Sequence, residues 1–411
     1  MKTTKLYLKQ TFILSLAVSF ISLAGCSDDN GKTTETEKPG NGAGNGTGNG
    51  TEPGNGTEPG PGPGPGPGPG PGPEQTPQEK LDAHFEELER NDKVMGSVAI
   101  SKAGKSVYKK SLGFSNIEQG LKTNENSKYR VGSISKTFTA VLVFKAIEEG
   151  KLTLNKTLEE CLPNSKIANA AQITIQHLLS HQSGIDDSIE KLSSRFPDEE
   201  SLMKWITEEK KEADMIKFIS ELGSAFKPGT QTSYSNSGFL LLSYILEKTY
   251  KKPYATILEE KIVVLVGLKN TDFGTKKDES PSYVYDEGQW KMTPKTHPSL
   301  VLGAGGVVST PTDLNLFAEA LANGDLVSDN SLIQMTTLQG TDKNGMNFGM
   351  GLILIPTDNE LCFGHSGDID ASISFLIYCP DSELSVALSA NAINYNPDET
   401  INLVLRTAFE F

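Results

Sequence analysis

The sequence predicts an α+β fold: an antiparallel sheet flanked by helices, with an inserted and mostly helical subdomain. Two observations carry this prediction. Strand patterns and one helix pattern come first in the globular part, and strand patterns and a helix pattern close it. Helix patterns dominate between about 150 and 300, which favours one sheet built from both ends of the chain. The nucleophile proposed below would then lie at the seam between the two parts, where pockets tend to form.

The N-terminus has the pattern of a secretory signal over residues 1–25. Three lysines precede an apolar run over 11–24 that is short for a membrane-spanning helix. The run ends in Leu-Ala-Gly-Cys, which resembles a bacterial lipobox and implies cleavage before Cys26 and lipidation of its thiol. An ordinary signal peptide with a chance cysteine is the alternative. The following Ser-Asp-Asp resembles an export signal of some Gram-negative lipoproteins. We therefore expect a lipid-anchored protein of the bacterial cell envelope, at the outer membrane, with the cell surface as a further location.

Residues 26–78 have the composition of a disordered tether. Asn-Gly-Thr repeats give way to alternating Pro-Gly over 59–73, and no apolar residue there could seed a core. Glycine at every second position excludes a collagen helix. About fifty flexible residues would span roughly 40 Å. The globular domain is predicted over 79–411, and the net charge of −14 argues against a nucleic-acid partner.

Apolar periodicity predicts the elements of the globular domain. The predicted helices, in chain order, cover 78–91, 133–150, 239–248, 311–323 and 399–409. The predicted strands cover 94–100, 106–112, 348–355, 373–379 and 384–389. The charged stretch 187–222 is predicted to be a helical excursion on the surface. The glycines at 303–306 indicate a tight loop or a close backbone approach.

A serine–x–x–lysine motif opens the second predicted helix. Residues i and i+3 share a helix face, so the Lys136 amine can lie against the Ser133 hydroxyl, at a helix end that favours negative charge. An acyl-transfer nucleophile needs such a hydroxyl, a base and a place for an oxyanion. Ser188 and Ser201 begin the same spacing in a charged region, whereas the Ser133 helix is almost uncharged. A buried lysine there requires a purpose, because unpaired buried amines are costly.

The motif Tyr234-Ser235-Asn236 precedes the buried helix at 239–248. A phenol beside a lysine ammonium can be held partly ionised, so Tyr234 could exchange a proton with Ser133 or the leaving group. Asn236 offers both a donor and an acceptor to a substrate amide. A polar loop that caps the helix is the alternative interpretation.

A third motif, Gly364-His365-Ser366-Gly367, lies in the final predicted sheet. His365 could orient a substrate carbonyl or carboxylate, and Gly367 would let the substrate backbone approach closely. A structural histidine is the alternative.

In this order, the three motifs resemble those of the penicillin-recognising serine hydrolases. The resemblance is closest to the branch with class C β-lactamases, serine DD-carboxypeptidases, D-aminopeptidases and carboxylesterases, and covers roughly 79–411. It implies a β-lactamase/transpeptidase-like fold and an acyl-enzyme mechanism without a metal or organic cofactor.

The same resemblance implies a role for each site residue. Ser133 is acylated, Lys136 accepts its proton, and Tyr234 shuttles a proton to the leaving group. Asn236 binds the substrate amide, and the backbone N–H groups of Ser133 and Asp368 form the oxyanion hole.

Two departures bear on the substrate, which would be a small molecule or peptide with a scissile amide or ester. The chain lacks the K-T-G of class C β-lactamases, and its His-Ser-Gly resembles DD-peptidase and esterase members. Asp368 and Asp370 stand where relatives commonly have small residues, so we expect them to disfavour an anionic substrate terminus and favour a cationic one. The prediction is therefore a DD-peptidase, D-amino-acid amidase or esterase-like enzyme.

Three alternatives are weighed against this function. A non-catalytic surface module of the same fold could bind cell-wall peptides, and a true class C-like β-lactamase remains open. An α/β-hydrolase would need G-x-S-x-G, and the stretch around Ser366 fails at its last position.

Three cysteines lie in the globular domain. Cys161 has no obvious mate, while Cys362 and Cys379 flank a strand–turn–strand pattern and could be neighbours. No metal-binding spacing appears. We expect two free buried thiols there rather than a disulfide.

Overall fold

The computed structural model describes residues 75–357 and 360–411. The predicted signal segment, Cys26 and nearly all of the predicted tether lie outside the described residues. Within the described ranges, no helix is long and apolar enough to cross a membrane.

The fold is organised around one large sheet whose strands come from both ends of the globular domain. Its strand order is β10-β11-β12-β13-β14-β15-β1-β2, with antiparallel pairing between these strands. The antiparallel hairpin β7–β8 joins the sheet through a short parallel pairing of β7 with β15. The strands β1 to β15 are Val94–Lys102, Lys105–Leu112, Phe114–Asn116, Leu121–Lys122, Tyr129–Arg130, Asp272–Phe273, Tyr283–Asp286, Gln289–Met292, Val307–Ser309, Gly340–Thr341, Asn347–Phe348, Ile353–Pro356, Leu361–Ile369, Ser372–Cys379 and Leu384–Ile393. The predicted antiparallel α+β architecture is confirmed.

Helices cover both faces of this sheet. The α-helices α1 to α13 are Pro77–Arg90, Ser135–Glu148, Leu158–Cys161, Ile175–Leu179, Glu199–Thr207, Glu212–Leu222, Asn236–Tyr250, Tyr254–Leu258, Val264–Val266, Pro298–Gly305, Pro311–Ala322, Asp329–Thr336 and Asp398–Phe409. Most of the regular secondary structure between 150 and 300 is helical, although the region also contains the hairpin β7–β8, which the sequence patterns did not predict.

Two apolar cores lie on opposite faces of the sheet. On one face, the terminal helices α1 and α13 bury Leu81 and Leu405 against strand residues such as Phe375. On the other face, α2 and α7 form the centre of a larger core with the rest of the helical region. Helix α2 is apolar on nearly all sides and is buried along most of its length. A helix without a polar face is stable only when it is buried in this way.

The predicted strand over 348–355 is wrong in its middle, because the backbone of residues 349–352 leaves the ladder. Gly351 has a positive φ of 76°, and its N–H donates to the Leu179 carbonyl at 2.9 Å. The N–H of Met350 donates to the Met335 carbonyl at 2.9 Å. Contacts with two helices, invisible to local periodicity, divide this segment into β11 and β12.

The glycines at 303–306 belong to helix α10, which is kinked at Leu302 with φ 32° and ψ −126°. A Cβ atom on Gly303 would lie 2.2 Å from the Thr139 hydroxyl oxygen. The predicted close backbone approach is therefore confirmed, and it presses α10 against α2.

The expectation of two free thiols at Cys362 and Cys379 is wrong, because these residues form a disulfide. Strands β13 and β14 pair with Phe363 opposite Tyr378. The same register, extended by one residue, sets Cys362 opposite Cys379, with a Cα–Cα separation of 4.3 Å. Cys161 is a free, partly buried thiol.

Candidate active site

Ser133 lies in a 3₁₀ turn, Gly132–Ile134, that leads directly into α2. The residues on either side are buried, whereas Ser133 is partly exposed. Gly132 has a φ of 51°, and a Cβ atom there would lie 2.6 Å from the backbone nitrogen of Asp368. The nucleophile turn therefore requires glycine for both its conformation and its contact with β13.

Lys136 is fully buried beside this serine. Its Nζ atom lies 2.9 Å from Ser133 Oγ, 2.7 Å from Asn236 Oδ1 and 2.8 Å from the Ala304 carbonyl oxygen. Burial lowers the pKa of Lys136 to about 7, and the negative charge of Asp187 opposes that shift. The amine can therefore accept a proton near neutral pH, as a general base requires.

Tyr234 makes a hydrogen bond with the Ser133 hydroxyl, but its phenol is not held ionised. Burial raises the pKa of Tyr234 above its ordinary range and outweighs the Ser133 hydrogen bond. The expectation of a partly ionised phenol is wrong, because desolvation of the phenolate exceeds any help from Lys136, whose Nζ lies 4.9 Å from the ring centre. Tyr234 is thus a proton donor placed beside the nucleophile.

Asn236 is the first residue of α7, and its amide is already engaged within the protein. Its Oδ1 accepts from Lys136 at 2.7 Å, and its Nδ2 donates to Asp187 Oδ2 at 2.8 Å. An amide nitrogen carries two hydrogens, so one N–H is left for a substrate. The predicted acceptor role of Asn236 toward substrate is not available in this arrangement.

The third motif lies on β13 along an edge that β12 does not cover. Strand β12 pairs with residues 361–364 of β13, and no strand among the described residues pairs with residues 365–369 on that side. His365 is buried there; its Nδ1 contacts the Ser366 carbonyl, and its Nε2 has no partner among the described residues. Burial and the Lys136 charge lower the pKa of His365 to about 3. His365 is therefore neutral at the pH of any ordinary assay.

Gly367 lets β13 contact the nucleophile turn. A Cβ atom at this position would lie 1.9 Å from the Val131 carbonyl oxygen and 2.9 Å from the Ser133 nitrogen. Position 367 therefore requires glycine because of its contact with the protein's own backbone, in addition to the predicted approach of a substrate. The same crossing brings residues 367–368 of β13 into contact with the nucleophile turn, and the predicted oxyanion hole of the Ser133 and Asp368 N–H groups would lie at this contact.

The expected effect of Asp370 on the charge of the substrate is not supported, because its carboxylate is bonded within the protein. Asp370 is 1% exposed and forms an ion pair with Arg130. It also accepts from the backbone nitrogen of Thr296 at 3.0 Å and from its hydroxyl at 2.6 Å. A carboxylate bonded in this way is held inside the protein, and it links the turn between β13 and β14 to Arg130 and Thr296.

Asp368 differs from Asp370, because its Oδ1 is buried without a hydrogen-bond partner in the described chain. Burial raises the pKa of Asp368 to about 7. Side chains alternate along a strand, so Asp368 leaves β13 on the face opposite to His365.

Two residues that position the site were not predicted from the sequence. Asp187 was assigned to a surface excursion, but it is 7% exposed and binds Asn236. His181 accepts at Nδ1 from the Ser235 nitrogen at 3.1 Å, and its ring lies over Tyr234 with centroids 4.5 Å apart. In the sequence, His181 lies in a short apolar run followed by a turn over 178–184, and this pattern could have indicated it. The charge of the stretch 187–222 concealed Asp187.

The two other serine–x–x–lysine motifs lack this geometry. Ser188 is buried, but Lys191 is exposed on the surface. Ser201 lies in the first turn of α5, where its N–H donates to the capping Asp198 carboxylate, and Lys204 is exposed. Neither lysine is buried beside its serine in the way that Lys136 is buried beside Ser133.

The fold and this site define a class: serine hydrolases that acylate a serine next to a buried lysine. The chain belongs to the β-lactamase family, whose model, described as Beta-lactamase, matches residues 81–408.

Similar proteins agree with this assignment. The putative penicillin-binding protein PbpX of Bacillus subtilis is 27% identical over 66% of this chain and 68% of its own length. The teichoic acid D-alanine hydrolase of Staphylococcus aureus is 26% identical over 73% of this chain and 71% of its own length. The structure of an octameric penicillin-binding protein homologue from Pyrococcus abyssi superimposes with a TM-score of 0.69, at 26% identity, over 80% of this chain and 76% of that one.

Proposed function

We propose that this protein hydrolyses D-aminoacyl esters or amides whose α-amine is free, through an acyl-enzyme on Ser133. The observation that carries this proposal is the carboxyl of Asp368, a residue whose backbone contacts the nucleophile turn and whose Oδ1 is buried with no partner among the described residues. A buried acceptor without a donor is costly, and a substrate ammonium would supply the donor.

The neutral third motif supports the same substrate class. Class C β-lactamases carry a lysine where this chain has His365, whose pKa of about 3 leaves it uncharged. A substrate carboxylate would find no compensating charge on this residue. The resemblance to a protein named teichoic acid D-alanine hydrolase also favours an aminoacyl substrate, because alanine bonded through its carboxyl keeps its amine.

The proposed reaction uses the groups already described. Neutral Lys136 takes the proton of Ser133 Oγ as that oxygen bonds to the acyl carbon, and the N–H groups of Ser133 and Asp368 stabilise the oxyanion. Tyr234 passes its proton to the departing alcohol or amine and is reprotonated from Lys136. Water then attacks the acyl carbon and gives a proton to neutral Lys136. As the bond from Ser133 Oγ to the acyl carbon breaks, this proton passes to Ser133 Oγ and the acid is released.

The test compares D-alanine p-nitroanilide with its N-acetylated form, which differs only in the amine. At about 5 Å and an effective dielectric near 20, a full carboxylate–ammonium contact is worth about 3 kcal/mol. Partial exposure and partial ionisation of the two groups reduce this energy. We therefore expect kcat/KM to be roughly 10- to 100-fold higher for the substrate with the free amine. Asp368→Asn should remove most of this preference and leave turnover of the N-acetylated substrate nearly unchanged.

Two results would contradict the proposal. One is efficient hydrolysis of nitrocefin, a β-lactam with a carboxylate and no free amine. The other is an Asp368→Asn variant whose preference for the free amine equals that of the wild type. A protein that no fluorophosphonate labels at Ser133 would instead favour the alternative of a non-catalytic module.

We further propose that the protein acts in the cell envelope, tethered through a lipid on Cys26. This proposal is supported by the lipobox-like Leu-Ala-Gly-Cys sequence and the Pro-Gly-rich segment that follows.

A further inference from the structure

Asp187 joins two parts of the site through its two carboxylate oxygens. Oδ1 accepts from the backbone nitrogens of Ile189 at 2.7 Å and Glu190 at 3.0 Å, which fixes the carboxylate relative to its own loop. Oδ2 accepts from the backbone nitrogen of Asn236 at 2.7 Å and from its Nδ2 at 2.8 Å. All four contacts come from N–H groups, two to each carboxylate oxygen. In an Asp187→Asn variant one of these oxygens becomes an NH2 group, so two N–H donors would face another donor.

The same contact completes the start of α7. Ser235, at the N-cap position of α7, makes no side-chain capping bond. Asp187 supplies the missing acceptor from a distant part of the chain, and its negative charge suits the positive end of the helix. The neighbouring backbone is held as well, because the Ser188 nitrogen donates to Ser237 Oγ at 2.9 Å.

The orientation of the Asn236 amide follows from this carboxylate. With Nδ2 directed at Asp187, Oδ1 must point the other way, toward Lys136 at 2.7 Å. A flipped amide would set its oxygen against the carboxylate and its hydrogens against the amine. Asp187 therefore determines that Asn236 presents an acceptor to Lys136.

The neutral Lys136 amine has two hydrogens and one lone pair. Two of its three neighbours, Asn236 Oδ1 and the Ala304 carbonyl oxygen, are acceptors only, at 2.7 and 2.8 Å. Both amine hydrogens are required there, so the lone pair is left for the hydroxyl of Ser133, 2.9 Å away. We infer that Asp187 is a positioning residue that acts through Asn236 to direct the lone pair of Lys136 at the nucleophile. This inference rests on the proposed acylation of Ser133.

The charge of Asp187 also has a measurable consequence. Four other ionisable groups surround Lys136, either in direct contact with it or one residue further away: Ser133, Tyr234, His181 and His365. Burial keeps the pKa of His181 and of His365 well below neutrality and raises that of Tyr234, so these groups are neutral near pH 7. The negative charge that raises the Lys136 pKa is that of Asp187. Removing the charge of Asp187 should therefore lower the pKa of Lys136 from its wild-type value of about 7.

The experiment measures the rate of Ser133 labelling by a fluorophosphonate between pH 5 and 9. In the wild type the rate should rise with pH through about 7, because Lys136 must lose its proton. Asp187→Asn should move this rise to lower pH by roughly one unit, with a plateau rate roughly 10- to 100-fold lower because the base is misdirected. A purely structural defect would lower the plateau without moving the rise.

Two further variants make the result decisive. Asp187→Glu keeps the charge but not the geometry, so the plateau should fall while the rise stays near pH 7. Asp186→Asn removes the adjacent charge, whose side chain makes no hydrogen bond or ion pair within the described residues, and should behave as the wild type. If Asp187→Asn does not fold, as judged by circular dichroism, Asp187→Ala takes its place, because it also removes the charge and should move the rise to lower pH.

The inference is overturned if Asp187→Asn labels within twofold of the wild type with its rise at the same pH. It is also overturned if Asp187→Glu keeps the full plateau rate or if Asp186→Asn reproduces the Asp187→Asn profile. Absence of labelling in the wild type would instead contradict the proposed function.

Discussion

The burial of Lys136 should make the stability of this protein depend on pH in a specific window. Burial lowers the pKa of this amine from 10.5 to about 7. One pKa unit corresponds to about 1.4 kcal/mol, so the charged form loses roughly 5 kcal/mol relative to the neutral form on folding. Between pH 7 and pH 10.5 the unfolded chain binds a proton that the folded protein has lost. The free energy of unfolding must therefore rise with pH across this window.

The perturbation that isolates this effect is Lys136→Met, which keeps the length of the side chain and removes its titration. The variant leaves the Asn236 and Ala304 oxygens without their donor, a cost that does not depend on pH. Only the difference between the two proteins across pH is therefore informative. Integrating from pH 7 to pH 10 with pKa values of about 7 folded and 10.5 unfolded, the wild type should gain about 3–4 kcal/mol relative to the variant. Below pH 6 the difference should be constant, because both states of the wild type carry the proton.

The assay is urea unfolding followed by circular dichroism at pH 5, 6, 7, 8, 9 and 10, without reductant. Ser133→Ala is the matched control, since it removes one partner of the amine but keeps the buried lysine. Its unfolding free energy should follow the pH dependence of the wild type. Parallel curves for the wild type and Lys136→Met from pH 7 to 10 would refute the reasoning, since they would mean that the folded and unfolded chains hold this proton equally.

Three further outcomes are expected. Ser133→Ala should lower fluorophosphonate labelling at least about a thousandfold, because the attacking oxygen is lost, whereas Ser201→Ala should label normally; the reverse pattern would show a different nucleophile. Replacing Cys362 and Cys379 with serine should lower the free energy of unfolding by about 3 kcal/mol, the value for a loop of this size, in urea titrations without reductant; an unchanged midpoint would contradict a stabilising disulfide. Cys26→Ser should release the protein from membrane fractions, and retention there would contradict the proposed lipid anchor.

The sequence alone determined the features that depend on short spacing and on element order. A separation of three residues brings Lys136 beside Ser133 on one turn of helix, whatever surrounds it. Helical and strand periodicities placed the terminal helices and the strands on which the antiparallel sheet is built, within a few residues of their observed bounds. The order of three motifs along the chain was enough to indicate the β-lactamase family.

Tertiary structure alone decided which distant residues complete the site and which do not. Asp187 accepts a hydrogen bond from Asn236 in the site, whereas Asp370 forms a buried ion pair with Arg130. Nothing in the local sequence distinguishes these two aspartates. The disulfide of Cys362 depends on the register of β13 with β14. Register, burial and ion pairing are set by contacts between residues far apart in the chain, and local periodicity carries no information about them.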